Sequence, residues 1–70
     1  MNTIVINKCN IKKELEAGDT VFIDKNGPFK VTYLYGGSDL GFRIDSDYER
    51  GIISDFEMRF DIFYIEKLIN

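Results

Sequence analysis

Apolar residues recur at every second position along several stretches of the chain, and this alternation predicts β-strands. The clearest example is residues 29–35, where Phe, Val and two Tyr alternate with Lys, Thr and Leu. The same pattern predicts strands over residues 20–24 and 40–45. Residues 3–8 are rich in β-branched side chains and predict a further strand.

The segment from Asp55 to Ile62 allows two interpretations. Ser54 and Glu57 have the spacing of a capping box, which would begin a helix. Charged and apolar residues, however, alternate through this segment without a break. On a helix these charges would be scattered around the axis, whereas on a strand they form one stripe. We therefore predict a long C-terminal strand that runs toward Ile65.

A short helix is predicted between the first two strands. Asn10 has a side chain suited to capping a helix N-terminus. Ile11 and Leu15 lie four residues apart, which places them on one face of a helix. Gly18 stands where glycine commonly follows the last helical turn. These features together predict a helix over residues 11–17.

Turn residues separate the predicted strands. Asn26 and Gly27 both tolerate the positive φ that a tight hairpin requires, and they predict a turn between the second and third strands. Pro28 then begins the next strand, where its missing N–H is tolerated. Residues 36–39 predict the following turn, and residues 46–51 a polar connection.

These elements predict a mainly β (α+β) fold, in which a small antiparallel meander curls into a barrel and carries one short N-terminal helix. The chain of 70 residues has room for a single domain. The alternating apolar positions define the expected buried face, which consists of Val21, Ile23, Val31, Tyr33, Phe42, Ile44, Phe56, Met58, Phe60 and Ile62.

Residues 15–23, the hairpin at residues 26–29 and the Gly36-Gly37 turn together resemble the opening of small SH3-like β-barrels. The resemblance covers residues 15 to about 45. It implies an SH3-like barrel as the fold. It includes no peptide-binding aromatic set that matches residue by residue, and a fold of this kind supports many functions.

The composition argues against an enzyme. The chain has no histidine, and Cys9 is its single cysteine, so there is no general base beside a thiol and no Cys/His zinc site. The segment that starts at Asp45 begins like a calcium loop, but Arg50 stands at the sixth position and Phe56 at the twelfth, where Gly and Glu are required. We expect no catalytic residues, no metal site and no cofactor.

The charge distribution argues against direct nucleic-acid binding. The formal net charge is −3, and residues 31–70 carry eight acids against four bases. The chain contains no apolar run long enough for a membrane span and no signal peptide, so a cytoplasmic location is expected. Residues with AT-rich codons are abundant, which suits a low-GC bacterium or one of its phages.

Two rows of acids in the C-terminal half suggest a contact surface. Alternation places three acids on one face of an extended fourth strand and three on the C-terminal strand. Two such rows can imitate a nucleic-acid backbone, which suggests a phage or mobile-element inhibitor that blocks a host nucleic-acid-handling or defence protein. The predicted contact residues are Asp45, Asp47, Glu49, Asp55, Glu57 and Asp61, with Tyr35 and Tyr48 as exposed aromatic anchors.

Two alternatives remain open at this level. The acids can be the ordinary solvated side of a half-buried sheet, because Arg43, Arg50 and Arg59 interrupt them. The protein can also be a cellular SH3-like adaptor or complex subunit that binds a protein through exposed aromatics or an edge strand. An edge such as residues 3–8 leaves a homo-oligomer open as well.

Overall fold

A computed structural model describes residues 2–36, 40–45, 57–58 and 63–69, with residues 57–58 described by their backbone. This part of the chain forms strands and one short helix. In chain order these are β1 (Thr3–Ile6), α1 (Ile11–Glu14), β2 (Thr20–Ile23), β3 (Asn26–Tyr35), β4 (Gly41–Ile44), β5 (Glu57–Met58) and β6 (Ile65–Leu68). In the described residues no helix is long and apolar enough to cross a membrane.

The six strands form an antiparallel sheet in the order β1-β6-β2-β3-β4-β5. The mainly β fold with one short helix is therefore confirmed, and β2 to β5 follow one another as the predicted meander. Of the predicted C-terminal strand, Glu57–Met58 is strand β5, and residues 55–56 and 59–62 lie outside the described part. β5 does not continue into β6 as one strand, because residues 63–64 are not in a strand and β5 pairs with β4 whereas β6 pairs with β1 and β2.

The described core is entirely apolar and includes a residue from every element whose side chains are described. Val21, Ile23, Phe42 and Ile44 have no exposed surface. They pack with Ile6, Ile11, Leu15, Val31 and Ile65. Five residues of the predicted buried face are thus confirmed, namely Val21, Ile23, Val31, Phe42 and Ile44. The predictions for Phe56, Phe60, Ile62 and the side chain of Met58 lie outside the described residues.

Tyr33, which was also predicted to be buried, is 56% exposed. The reason is a β-bulge in β3. Val31 is aligned with Ile44 and Tyr33 with Arg43, so the register shifts by one residue between Val31 and Tyr33. One extra residue inverts the alternation that follows it. Leu34 consequently packs against the core, and Tyr33 points to the outside.

Asn10 stands at the predicted N-cap position of α1, but its side chain makes no cap hydrogen bond. Asn7 performs that role one turn earlier, because its Oδ1 accepts hydrogen bonds from the backbone N–H groups of Cys9 at 2.8 Å and Asn10 at 3.1 Å. Asn and Asp side chains readily accept hydrogen bonds from nearby backbone N–H groups, and here Asn7 does so in place of Asn10.

The helix ends at Glu14, three residues before the predicted end. Leu15 is already extended and buried. The Asp19 carboxylate then accepts the Glu16 N–H at 2.8 Å, and the Glu16 carbonyl accepts the Asp19 N–H at 3.1 Å. These bonds close a turn in place of further helix. Gly18 has the positive φ expected of it, but within this turn.

The hairpin between β2 and β3 turns at Asp24 and Lys25, which have φ values of 50° and 68°, and not at the predicted Asn26-Gly27. Asp24 is fixed there because it exchanges hydrogen bonds with Tyr64, whose N–H it accepts at 2.9 Å. Gly27 lies in an irregularity of the β2–β3 ladder with φ of 133°. A Cβ atom on Gly27 would lie 3.0 Å from the Val21 carbonyl oxygen.

Replacement of Gly27 should therefore be costly. Gly27→Ala is expected to lower the free energy of unfolding by about 1–3 kcal/mol, because it combines an unfavourable backbone conformation with a steric clash. Urea denaturation measures the change. Gly36→Ala is the matched control, because a Cβ atom there would have no atom within 4 Å. Equal effects of the two substitutions would contradict the close approach of β3 to β2.

Candidate functional site

The bulge in β3 places two tyrosines beside an arginine on the outer side of β3 and β4. Tyr33 lies opposite Arg43 in the ladder, and Tyr35 lies opposite Gly41, two positions along the same strand. The Tyr33 and Tyr35 rings meet edge to face, with centroids 5.2 Å apart and planes at 81°. With Thr32 these side chains line an open groove of about 420 Å³. We call Thr32, Tyr33, Tyr35 and Arg43 the tyrosine–arginine surface.

Arg43 and Tyr35 hold each other in place. Arg43 Nε donates a hydrogen bond to the Tyr35 hydroxyl oxygen, and the guanidinium carbon lies 5.6 Å from the centroid of the Tyr35 ring. Both contacts restrict the arginine, which otherwise has many rotamers. Tyr35 is half-buried, and Tyr33 packs against its ring edge. The surface is consequently organised before any partner arrives, which lowers the entropic cost of binding.

Asp45, a predicted contact residue, also has a structural role. Its Oδ1 accepts the Lys30 backbone N–H at 3.0 Å, and its own N–H donates to the Lys30 carbonyl at 3.1 Å. The carboxylate thus continues the β3–β4 ladder by one step. Asp19 and Asp24 accept backbone N–H groups in the same manner, at 2.8 Å and 2.9 Å. Acids in the described residues therefore hold backbone turns as well as contribute charge.

Of the remaining predicted contact residues, the structure describes only the backbone of Glu57. This backbone pairs with Arg43 and so lies beside the tyrosine–arginine surface. The two proposed rows of carboxylates stay a prediction. The remaining residues of the set, Asp47, Tyr48, Glu49, Asp55 and Asp61, lie outside the described part of the chain.

Within the described ranges, no group of three or more Cys, Asp or Glu side chains is close enough to hold a metal ion. Of the segment that begins like a calcium loop, only Asp45 lies in those ranges, and its carboxylate accepts the Lys30 backbone N–H. Cys9 is exposed on the turn before α1. The groups that the described site offers are suited to non-covalent contacts: two aromatic rings, a planar cation and hydroxyl groups.

Sequence reasoning missed Tyr33, Thr32 and Arg43 as members of the site. Strict alternation from Phe29 assigned Tyr33 to the interior, and a single bulge reversed that assignment. One feature could have indicated it. Leu34 is the aliphatic residue between two tyrosines, and a shift of one position after Val31 places it in the core while the hydroxyl-bearing rings stay in water.

Comparison with known proteins gives no relative to guide the interpretation. No protein-family model matches the chain, and no curated protein or solved structure matches it either.

The structural role of Asp45 can be separated from its charge. Asp45→Ala removes the acceptor for the Lys30 N–H and is expected to lower the free energy of unfolding by about 0.5–1.5 kcal/mol. Asp45→Asn keeps an oxygen acceptor and should retain most of that stability while it removes the charge. Urea denaturation compares the two variants. If Asn proves as destabilising as Ala, the carboxylate does not act through this hydrogen bond.

Proposed function

We propose that the protein is a non-enzymatic protein-binding module and that the tyrosine–arginine surface contacts its partner. The observation that carries this proposal is the exposure of Tyr33, which presents 56% of its surface to solvent although the neighbouring Leu34 packs against the core. Tyrosine and arginine are enriched among the residues that dominate binding energy in protein interfaces. A pair of mutually packed rings with an arginine held against them is an arrangement of that kind.

The chemistry of the surface favours a protein over a nucleic acid. Aromatic platforms for single-stranded nucleic acids normally lie in a basic groove. Here Arg43 is opposed by Glu57 in the ladder, Asp45 follows on the same strand, and residues 31–70 carry a net charge of −4 from eight acids and four bases. A tyrosine surface in an acidic setting instead suits a protein partner with apolar or basic side chains.

The more specific hypothesis is an inhibitor of phage or mobile-element origin that occupies a basic channel of a host nucleic-acid-handling or defence protein in the cytoplasm. Its support is the acidic C-terminal half of the sequence. Asp45 supports this hypothesis because its carboxylate adds negative charge to the surface as well as accepting the Lys30 N–H. The tyrosine–arginine surface would then be the anchoring part of a wider interface whose acids supply steering.

Substitution of Tyr33 tests the proposal most simply. Wild-type protein is immobilised to capture partners from the lysate of a low-GC bacterium, and affinities of the captured protein are then measured by calorimetry. Tyr33→Ala should weaken binding by about 30-fold or more, as expected when an anchor worth roughly 2 kcal/mol is removed. Its free energy of unfolding should change little, because the side chain is exposed.

Tyr64→Ala is the matched control for this experiment. Tyr64 is 46% exposed and also interacts with a cation, Lys25, whose Nζ lies 5.7 Å from the ring centroid, but it precedes β6 and does not belong to the tyrosine–arginine surface. Its substitution should leave the affinity unchanged. Full retention of binding by Tyr33→Ala, or equal loss with both variants, would contradict the proposed contact surface.

The acidic inhibitor is tested on the same captured partner by neutralising substitutions. Asp47→Asn combined with Glu49→Gln should lower the association rate by about tenfold at low salt and much less at high salt, since steering is screened by ions. Stopped-flow measurements at several ionic strengths give the rates. Rates that do not depend on salt in the wild type would exclude an acidic mimic while leaving the Tyr33 result unaffected.

A further inference from the structure

β1 is an end strand of the sheet, and the hydrogen-bond phase of its ladder shows which backbone groups face outward. Ile69 donates its N–H to the Asn2 carbonyl at 3.0 Å, so the pair that precedes β1 is hydrogen-bonded to the β6 side. Hydrogen-bonded and non-bonded pairs alternate along an antiparallel ladder. Ile4 and Ile6 therefore bond to β6, whereas the N–H and C=O groups of Thr3 and Val5 point away from it.

The Asn10 side chain already occupies part of this outer edge. Its Nδ2 donates to the Val5 carbonyl at 2.8 Å, and its Oδ1 accepts the Asn7 N–H at 2.9 Å. A carbonyl and the N–H two residues later are the pair that an added strand would use. The Asn10 carboxamide thus takes the place of one N–H donor and one carbonyl acceptor of a neighbouring strand.

Three backbone groups remain beyond Asn10: the Thr3 N–H, the Thr3 carbonyl and the Val5 N–H. None of the hydrogen bonds between described residues uses them. Thr3–Ile6 also has no charged residue and no proline to protect the edge, and its register with β6 is unbroken. Val5 and Ile69 are 43% and 47% exposed and add apolar surface beside the edge.

We infer that β1 pairs with β1 of a second copy of this chain, antiparallel and with the twofold axis at Thr3. In this register the Thr3 N–H of each copy donates to the Thr3 carbonyl of the other, so one residue supplies both donor and acceptor as a twofold interface requires. Both outward groups of Thr3 are then satisfied.

The Asn10 side chain favours this register over the neighbouring one, in which the axis lies at Ile4 and the same faces of the two strands lie on one side of the sheet. With the axis at Ile4, the Thr3 N–H of the second copy would reach the Val5 carbonyl, which Asn10 occupies. With the axis at Thr3, the two central bonds join Thr3 to Thr3 and do not involve the Val5 carbonyl. Two threonines then lie opposite each other on the outer face, where each hydroxyl donates a hydrogen bond to the Glu66 carboxylate of its own copy at 3.1 Å. This interface is separate from the tyrosine–arginine surface.

Disulfide trapping tests the register. In a Cys9→Ser background, Thr3→Cys should form a disulfide-linked dimer under mild oxidation, because the Cα atoms of a hydrogen-bonded antiparallel pair lie about 5.5 Å apart, within the range of a disulfide. Val5→Cys in the same background is the control for random collision, since the two Val5 positions are far apart along the strands. Cross-linking of Ile4→Cys in place of Thr3→Cys, or equal cross-linking of Thr3→Cys and Val5→Cys, would overturn the inference.

Sedimentation equilibrium measures the association without a cross-link. The wild type should dimerise reversibly as its concentration approaches the millimolar range. Thr3→Pro removes the outward N–H without removing a bond to β6, and it should weaken the dimer at least about tenfold, whereas Thr3→Ala should preserve it. A wild type that stays monomeric at millimolar concentration, or a Thr3→Pro variant that folds and dimerises normally, overturns the inference.

Discussion

The position of Val31 determines how β3 is shared between the two halves of the sheet. Its side chain is buried in the core, and its backbone N–H and carbonyl bond to Asp19 and Gly18 at 2.9 Å and 2.8 Å. On its other side, Val31 is aligned with Ile44 of β4. β3 therefore passes at this residue from pairing with β2 to pairing with β4. The next residue that can enter the core is Leu34, and the strand reaches it by bulging at Thr32.

The tyrosine–arginine surface is a consequence of that constraint. In a regular strand, the side chain of Tyr33 would face the core and that of Leu34 would face solvent. With the bulge, Leu34 packs against the core, and the two tyrosines stay on the outer side, where Arg43 donates a hydrogen bond to Tyr35. The same irregularity leaves the Tyr33 ring exposed. Bulges are over-represented next to functional sites.

Polar side chains stabilise the backbone where regular secondary structure ends. Asp19, Asp24 and Asp45 each accept a backbone N–H, and Lys67 extends across one end of the core to the Glu14 carbonyl and to within 3.4 Å of the Asp19 carboxylate. Small domains have little core from which to draw stability. Side-chain bonds of this kind tie the turn before β2, the end of α1 and β6 to one another.

The sequence predicted the features that depend on the local pattern of residues. It did not predict those that depend on contacts between residues far apart in the chain. Alternation was sufficient to identify β2, β4 and the core positions of Val21 and Ile23. It could not reveal the bulge after Val31, because that depends on which side chain fits beside β4. Likewise, Asn26-Gly27 is the stronger local turn signal, yet the turn lies at Asp24, where bonds to Tyr64 from forty residues away determine the conformation.

The surface itself was predicted only through Tyr35, since Tyr33 and Arg43 reach it by register and not by any motif. The tyrosine–arginine surface therefore depends most on the β3–β4 register, which nuclear Overhauser contacts between backbone protons across the two strands measure directly. We expect Tyr33 to contact Arg43 and Leu34 to contact Phe42. A contact of Thr32 with Arg43 and of Tyr33 with Phe42 would mean a regular strand with Tyr33 inside, and would contradict this register.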